Sequence, residues 1–220
     1  MNWEQYKKEI ELIEKQNNVE HDLYNIIADM IRERKAFADV SLRDISGRQR
    51  TKSAQEKVFW GLRGFPDFVI LDKMYEPKDG NTDREYLYGV IEAKFVDKSL
   101  CKKLSDIRQL WGHLLWFKKV IYTNGIVWKF YKIDDSDIKT IVKETSEKQL
   151  TYLQDESYFK LARKGIKYEE IDNILECIRE KYNIDEFQKT EPFVLRDKTK
   201  WWSEKEWNEL VKYLDEYDFR

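Results

Sequence analysis

Two acidic residues and a lysine stand at the ends of neighbouring apolar runs. Asp67 opens Asp67-Phe68-Val69-Ile70-Leu71, behind Gly64-Phe65-Pro66, and 25 residues later Glu92 and Lys94 close Val90-Ile91-Glu92-Ala93-Lys94. Magnesium takes nearly octahedral oxygen coordination and is usually held by one or two carboxylates, with water and a substrate phosphate completing the shell. Asp67 and Glu92 are therefore candidate ligands for such an ion. A lysine beside them is placed to orient a water, or to offset the negative charge that builds up on phosphorus during phosphodiester hydrolysis. Pro-Asp and Glu-x-Lys each occur by chance; their weight comes from standing together on adjacent runs of one type.

The elements that carry them follow from the pattern. Phe68 to Leu71 is a four-residue apolar stretch bounded by Pro66 and Asp72, which suits a buried strand, and Pro66 fits only at the start of one. Tyr86 to Phe95 reads as a second strand, on which Glu92 and Lys94, two apart, share a face. Lys73 to Arg84 between them carries Pro77, Asp79, Gly80 and Asn81, the chemistry of a turn or hairpin loop. Antiparallel pairing across that loop would set Asp67 beside Glu92. Upstream, Val19, Leu23, Ile26, Ile27, Met30 and Ile31 recur at helical spacing, and downstream Ser99 to Lys119 predicts a helix with a broad apolar face.

With these residues in view, Pro66-Asp67 and Glu92-Ala93-Lys94 resemble the signature of the PD-(D/E)xK nuclease superfamily. Gln109, in the helix after the lysine, and Val120-Ile121-Tyr122-Thr123-Asn124-Gly125, leading into a last strand, narrow the resemblance to the N-terminal nuclease domain of type I restriction enzyme motor subunits. It covers about residues 18 to 133. The resemblance implies a fold of the α/β (α+β mixed sheet) class, a restriction-endonuclease-like core in which a central mixed sheet is flanked by helices. The order helix, strand, strand, helix, strand, strand also allows this. It implies Mg2+ or Mn2+ held by Asp67, Glu92, the Ala93 backbone carbonyl and an upstream glutamate, for which Glu20 is the candidate and Asp22 the rival. Lys94 and Gln109 complete the catalytic set. In the family Gln109 is followed four residues later by tyrosine, where this chain has His113. DNA is the implied substrate, and restriction, defence or phage conflict the implied setting. No Walker-type loop occurs, so the accompanying motor is expected to be absent from this polypeptide.

A second reading of another class stands beside this one: a catalytically silent nuclease fold that binds nucleic acid or protein as an inhibitor, regulator or assembly subunit. The near-neutral balance of 40 basic and 42 acidic residues favours it, because nonspecific nucleic-acid binders usually carry a basic excess. Local charge matters more. Arg43, Arg48, Arg50, Lys52 and Lys57 cluster in a loop-like run ahead of the first strand, and Lys98 follows Lys94 closely; Arg48, Arg50, Lys52 and Lys98 are candidate phosphate contacts, or else a solvated face. Two histidines leave little material for a histidine zinc site, and Cys101 and Cys177 lack paired metal-ligand spacing.

At 220 residues with 15% aromatics the chain can bury a substantial core. Residues 1–133 are expected to form the nuclease-like core with its N-terminal helices, and residues 134–220 a helical extension packed on it. In that extension Ile171, Ile174, Leu175 and Ile178 form one helical face, and Ser203 with Glu206 reads as a capping box ahead of Trp207, Leu210, Val211 and Leu214. Trp201, Trp202 and Trp207 offer a surface for a protein partner; a homodimer is compatible with the same composition. The charged first 16 residues contain no leader-like segment and no run is long enough to span a membrane, so cytoplasmic residence without membrane contact is the expectation.

Overall fold

In the computed structural model the described residues are 1–47, 59–76, 85–145 and 168–220. Residues of the two central strands part to opposite sides, a register shift opposite Ile70 and Leu71 breaking the strict alternation of the second. Val69 and Leu71 of β2 (Phe68–Asp72) and Leu87 and Val90 of β3 (Leu87–Ala93) enter one apolar cluster, whereas Phe68, Ile70, Ile91 and Ala93 enter another. A strand buried on both faces must be apolar at every position, which is why these runs are continuous rather than alternating.

Among the described residues the sheet has six strands in the order β1 to β6, with β1 at Val40–Asp44, β4 at Lys119–Thr123, β5 at Val127–Lys132 and β6 at Phe193–Val194. Of these strands β3 and β4 run parallel, and the other neighbours are antiparallel. The parallel step needs a crossover, and α3 (Leu104–Phe117) supplies it. One face is covered by α3, α4 (Asp135–Thr145) and α5 (Tyr168–Lys181), the other by α1 (Trp3–Gln16), α2 (Leu23–Arg32) and α6 (Glu204–Glu216). This is an α/β chain with a mixed sheet flanked by helices, the expected class. No described helix is long and apolar enough to cross a membrane.

Several boundaries depart from the expected ones. Strand β1 was not anticipated, and Arg43, assigned to a loop-like run, lies within it with its guanidinium donating to the Leu42 carbonyl at 2.9 Å. Only Val40 and Leu42 mark its buried side, too few residues for a visible alternation. Helix α3 begins at Leu104 rather than Ser99, because Cys101 adopts φ +59 and Lys103 is extended at the N-cap. Val19, expected on the apolar face of the upstream helix, is 43% exposed, since Glu20–Asp22 form a separate 3-10 turn before α2.

The extension is not purely helical: β6 completes the sheet, and β7 (Arg196–Asp197) pairs with β8 (Lys200–Trp201) as a short hairpin. Ser203 caps α6, accepting from the Lys205 amide and donating to the Glu206 carboxylate at 2.7 Å. Trp207 is buried against Tyr6 and Trp3, and the Trp201 indole donates to Glu11 at 2.7 Å. Of the three tryptophans only Trp202 is broadly exposed, because the other two fill the seam between α1 and the hairpin.

Gly112 shows how tightly α3 packs on the segment leading to Asp67. A Cβ there would lie 2.6 Å from the Arg63 Cβ and 3.2 Å from the Arg63 amide nitrogen. On a free helix Gly→Ala would gain about 1 kcal/mol. Here Gly112→Ala is expected to lose about 1–3 kcal/mol by overpacking, read as a lower denaturant midpoint with unchanged slope.

Candidate functional site

The register of β2 and β3 pairs Phe68 with Ile91, so the residue before the first, Asp67, faces the residue after the second, Glu92. Asp67 is then fixed from two sides. Its Oδ2 accepts the Ala93 amide at 2.7 Å, and its Oδ1 accepts the hydroxyl of Tyr24 on α2. Glu20, in the turn ahead of α2, joins from the same side. One carboxylate oxygen from each of Glu20, Asp67 and Glu92 lies within 4.8 Å of the others. Asp67 and Glu92 are buried and Glu20 is half-buried.

Lys94 continues the line of β3, its amide donating to the Thr123 carbonyl at 2.8 Å. Its buried ammonium bonds Glu92 Oε1 and donates to Gln109 Oε1 at 3.1 Å. Gln109 reaches it from α3, the crossover helix lying over that face. One turn further along, His113 places Nε2 3.2 Å from Glu92 Oε2, within ion-pair reach but off the line of a ring N–H hydrogen bond.

These contacts push the two central carboxylates in opposite directions. Burial and the Glu92 charge raise Asp67 well above the ordinary carboxylate range, against the pull of Tyr24 and Ala93. Burial would raise Glu92 too, but the His113 ring and the Lys94 ammonium hold it below its usual value. Glu20 is raised, chiefly by burial. Burial depresses Lys94, yet the charge and hydrogen bond of Glu92 more than offset this and raise it. Neighbouring titratable groups driven apart by their surroundings are a mark of acid–base assignment.

The donor set fits a hard divalent cation. Three carboxylates from three elements crowd one ammonium, and each ionised carboxylate offers about four lone-pair positions, so the bonds above leave acceptor capacity spare. Asp67, Glu92 and Glu20 would hold the ion, with the Ala93 carbonyl the expected backbone ligand beside them; the N–H of Ala93 is committed to Asp67.

Other candidates lie elsewhere. The Asp22 carboxylate accepts from Asn17 at 2.9 Å and is not part of the cluster. Lys98 is paired with both oxygens of Asp106, at 3.0 and 2.9 Å, so the expected free phosphate contact is already engaged within the chain. Arg48, Arg50 and Lys52 lie outside the described residues. Tyr24 and His113 were not assigned from sequence, although each stands four residues after an assigned one, Glu20 and Gln109, the spacing at which helical side chains share a face. No family model matches this chain, nor does any curated protein or solved structure.

Proposed function

We propose that the chain is a metal-dependent nuclease hydrolysing DNA phosphodiester bonds, built on the restriction-endonuclease-like core of the PD-(D/E)xK superfamily. The observation that carries this reading is a lysine ammonium buried on a carboxylate, with two further carboxylates in reach. Burying charge is expensive unless it is paired, and such groupings concentrate at working sites. When bound, Mg2+ or Mn2+ supplies Lewis acidity toward a phosphoryl oxygen and toward water.

The chain's own residues have distinct parts. Asp67, Glu92 and Glu20 bind the cation. An ammonium has three donors; Glu92 and Gln109 take two of those of Lys94 and thereby aim the third at an attacking water or at a phosphate oxygen whose charge is growing. Gln109 serves as the orienting acceptor. DNA is the substrate class on this reading, and a cytoplasmic role in restriction, defence or phage conflict belongs with it.

Purified protein incubated with supercoiled, linear and single-stranded DNA and with RNA, in Mg2+, Mn2+ or chelator, tests the reading. Metal-dependent DNA cleavage is expected, lowered about 10²–10³-fold in Lys94→Ala, the loss typical of a charge-stabilising donor. Equal rates in the variant would mean contamination. A folded protein inert on every substrate would overturn catalysis in favour of a silent, binding role.

A further inference from the structure

His113 enters no step above, yet its side chain is fully buried, and neither ring nitrogen has a hydrogen-bond partner among the described residues. Glu92 Oε2 is in the same condition: Lys94 takes Oε1, and no described group hydrogen-bonds Oε2. These two unsatisfied atoms face each other at 3.2 Å. Leaving an imidazole buried with both nitrogens idle is costly, and each such group calls for an explanation. An apolar side chain beside Phe117, whose ring centroid lies 5.8 Å from that of His113, would fill the space without that cost.

We infer that His113 is a positioning residue whose Nε2–H is held against Glu92 Oε2, so that the carboxylate is fixed from both sides, by Lys94 on one oxygen and His113 on the other, facing Asp67 and Glu20. The purpose of the fixed carboxylate rests on the nuclease reading; the contact rests on the 3.2 Å approach of two otherwise unpartnered atoms, which a small turn of the ring brings into line. Glu92 can then neither swing toward the lysine with both oxygens nor turn away from the other two carboxylates. Groups that orient a ligand from behind in this way typically change metal affinity or activity by about 10–100-fold when removed.

The chain has two histidines, so 15N-histidine labelling gives two ring spectra, which His21→Asn assigns. The expected spectrum carries hydrogen on Nε2 of His113, and this resonance moves in Glu92→Gln while that of His21 stays. Calorimetric titration with Mn2+ is expected to show affinity weakened about 10–100-fold in His113→Leu and largely restored in His113→Gln, whose amide nitrogen can donate to the same oxygen. Affinity in the leucine variant equal to that of the unsubstituted protein, or an Nε2 without its hydrogen, would overturn the assignment. Should the leucine variant fail to fold, the ring spectra decide. A folded protein that neither binds Mn2+ nor cuts DNA would remove the nuclease reading and the purpose with it, while the spectra still uphold or overturn the contact.

Discussion

Asp67→Asn is expected to abolish metal-dependent cleavage and, in chelator, to raise the melting temperature. Activity falls because a neutral amide is a poor ligand for a hard cation at a position where the Lewis acid supplies several kcal/mol to the barrier; about 4 kcal/mol corresponds to about 10³-fold in rate. Stability rises because the Asp67 charge is opposed by burial and by Glu92, which hold its pKa well above the ordinary range. The folded chain therefore keeps a proton on Asp67 that the unfolded chain releases near pH 4. Between that pH and the raised folded value the native state binds more protons, so stability falls as pH rises through the window and stays reduced above it.

Asparagine removes this penalty and keeps the contacts. Its oxygen can accept the Ala93 amide while its NH2 donates to the Tyr24 hydroxyl, which turns to accept. A gain of about 1–2 kcal/mol is typical of relieving such functional-site strain, or about 2–8 °C for a chain of this size. Thermal melts in chelator between pH 5 and 8 measure it. A variant melting below the unsubstituted protein at every pH, with the same pH slope, would show that Asp67 is not opposed by its surroundings. Added Mn2+ should stabilise the unsubstituted protein by mass action and leave the variant nearly unmoved.

The part of this site legible in the sequence is the part dictated by strand geometry. Asp67, Glu92 and Lys94 were found because alternation and one hairpin suffice to bring them together, and β2 and β3 are apolar enough to be recognised without neighbours. Gln109 and Glu20 came from the resemblance, and both reach the cluster. What was illegible depends on tertiary placement. The phenol of Tyr24 on Asp67 reads in sequence as one more aromatic on an amphipathic helix. The pairing of Lys98 with Asp106 depends on the turn at Cys101 that delays α3, and a positive φ at a residue other than glycine leaves no sequence signal. Strand β1 and the two-residue β6 are too short to show a period, yet they finish the two edges of the sheet.

Glu92→Gln is expected to behave in the opposite sense to Asp67→Asn in stability, although both should silence cleavage. The Glu92 carboxylate is held below its usual pKa by His113 and Lys94 despite full burial. A carboxylate depressed in this way contributes stability that is present above the ordinary carboxylate range and lost as pH falls through its folded value. Removing its charge leaves the Lys94 ammonium buried without its nearest counter-charge, and turns the donor amide of glutamine against either that ammonium or the His113 Nε2–H. Breaking one side of a buried pair typically costs about 3–5 kcal/mol, here about 6–20 °C in melting temperature. Denaturant melts at pH 7 measure the loss, and Lys94→Met added to Glu92→Gln should recover part of it, because the orphaned charge goes too. The double-variant cycle separates that coupling from simple loss of packing. A Glu92→Gln protein as stable as the unsubstituted one, with no recovery from the second substitution, would mean that the lysine and glutamate are not a charged pair in the folded chain, and the division of labour between the two carboxylates would have to be redrawn.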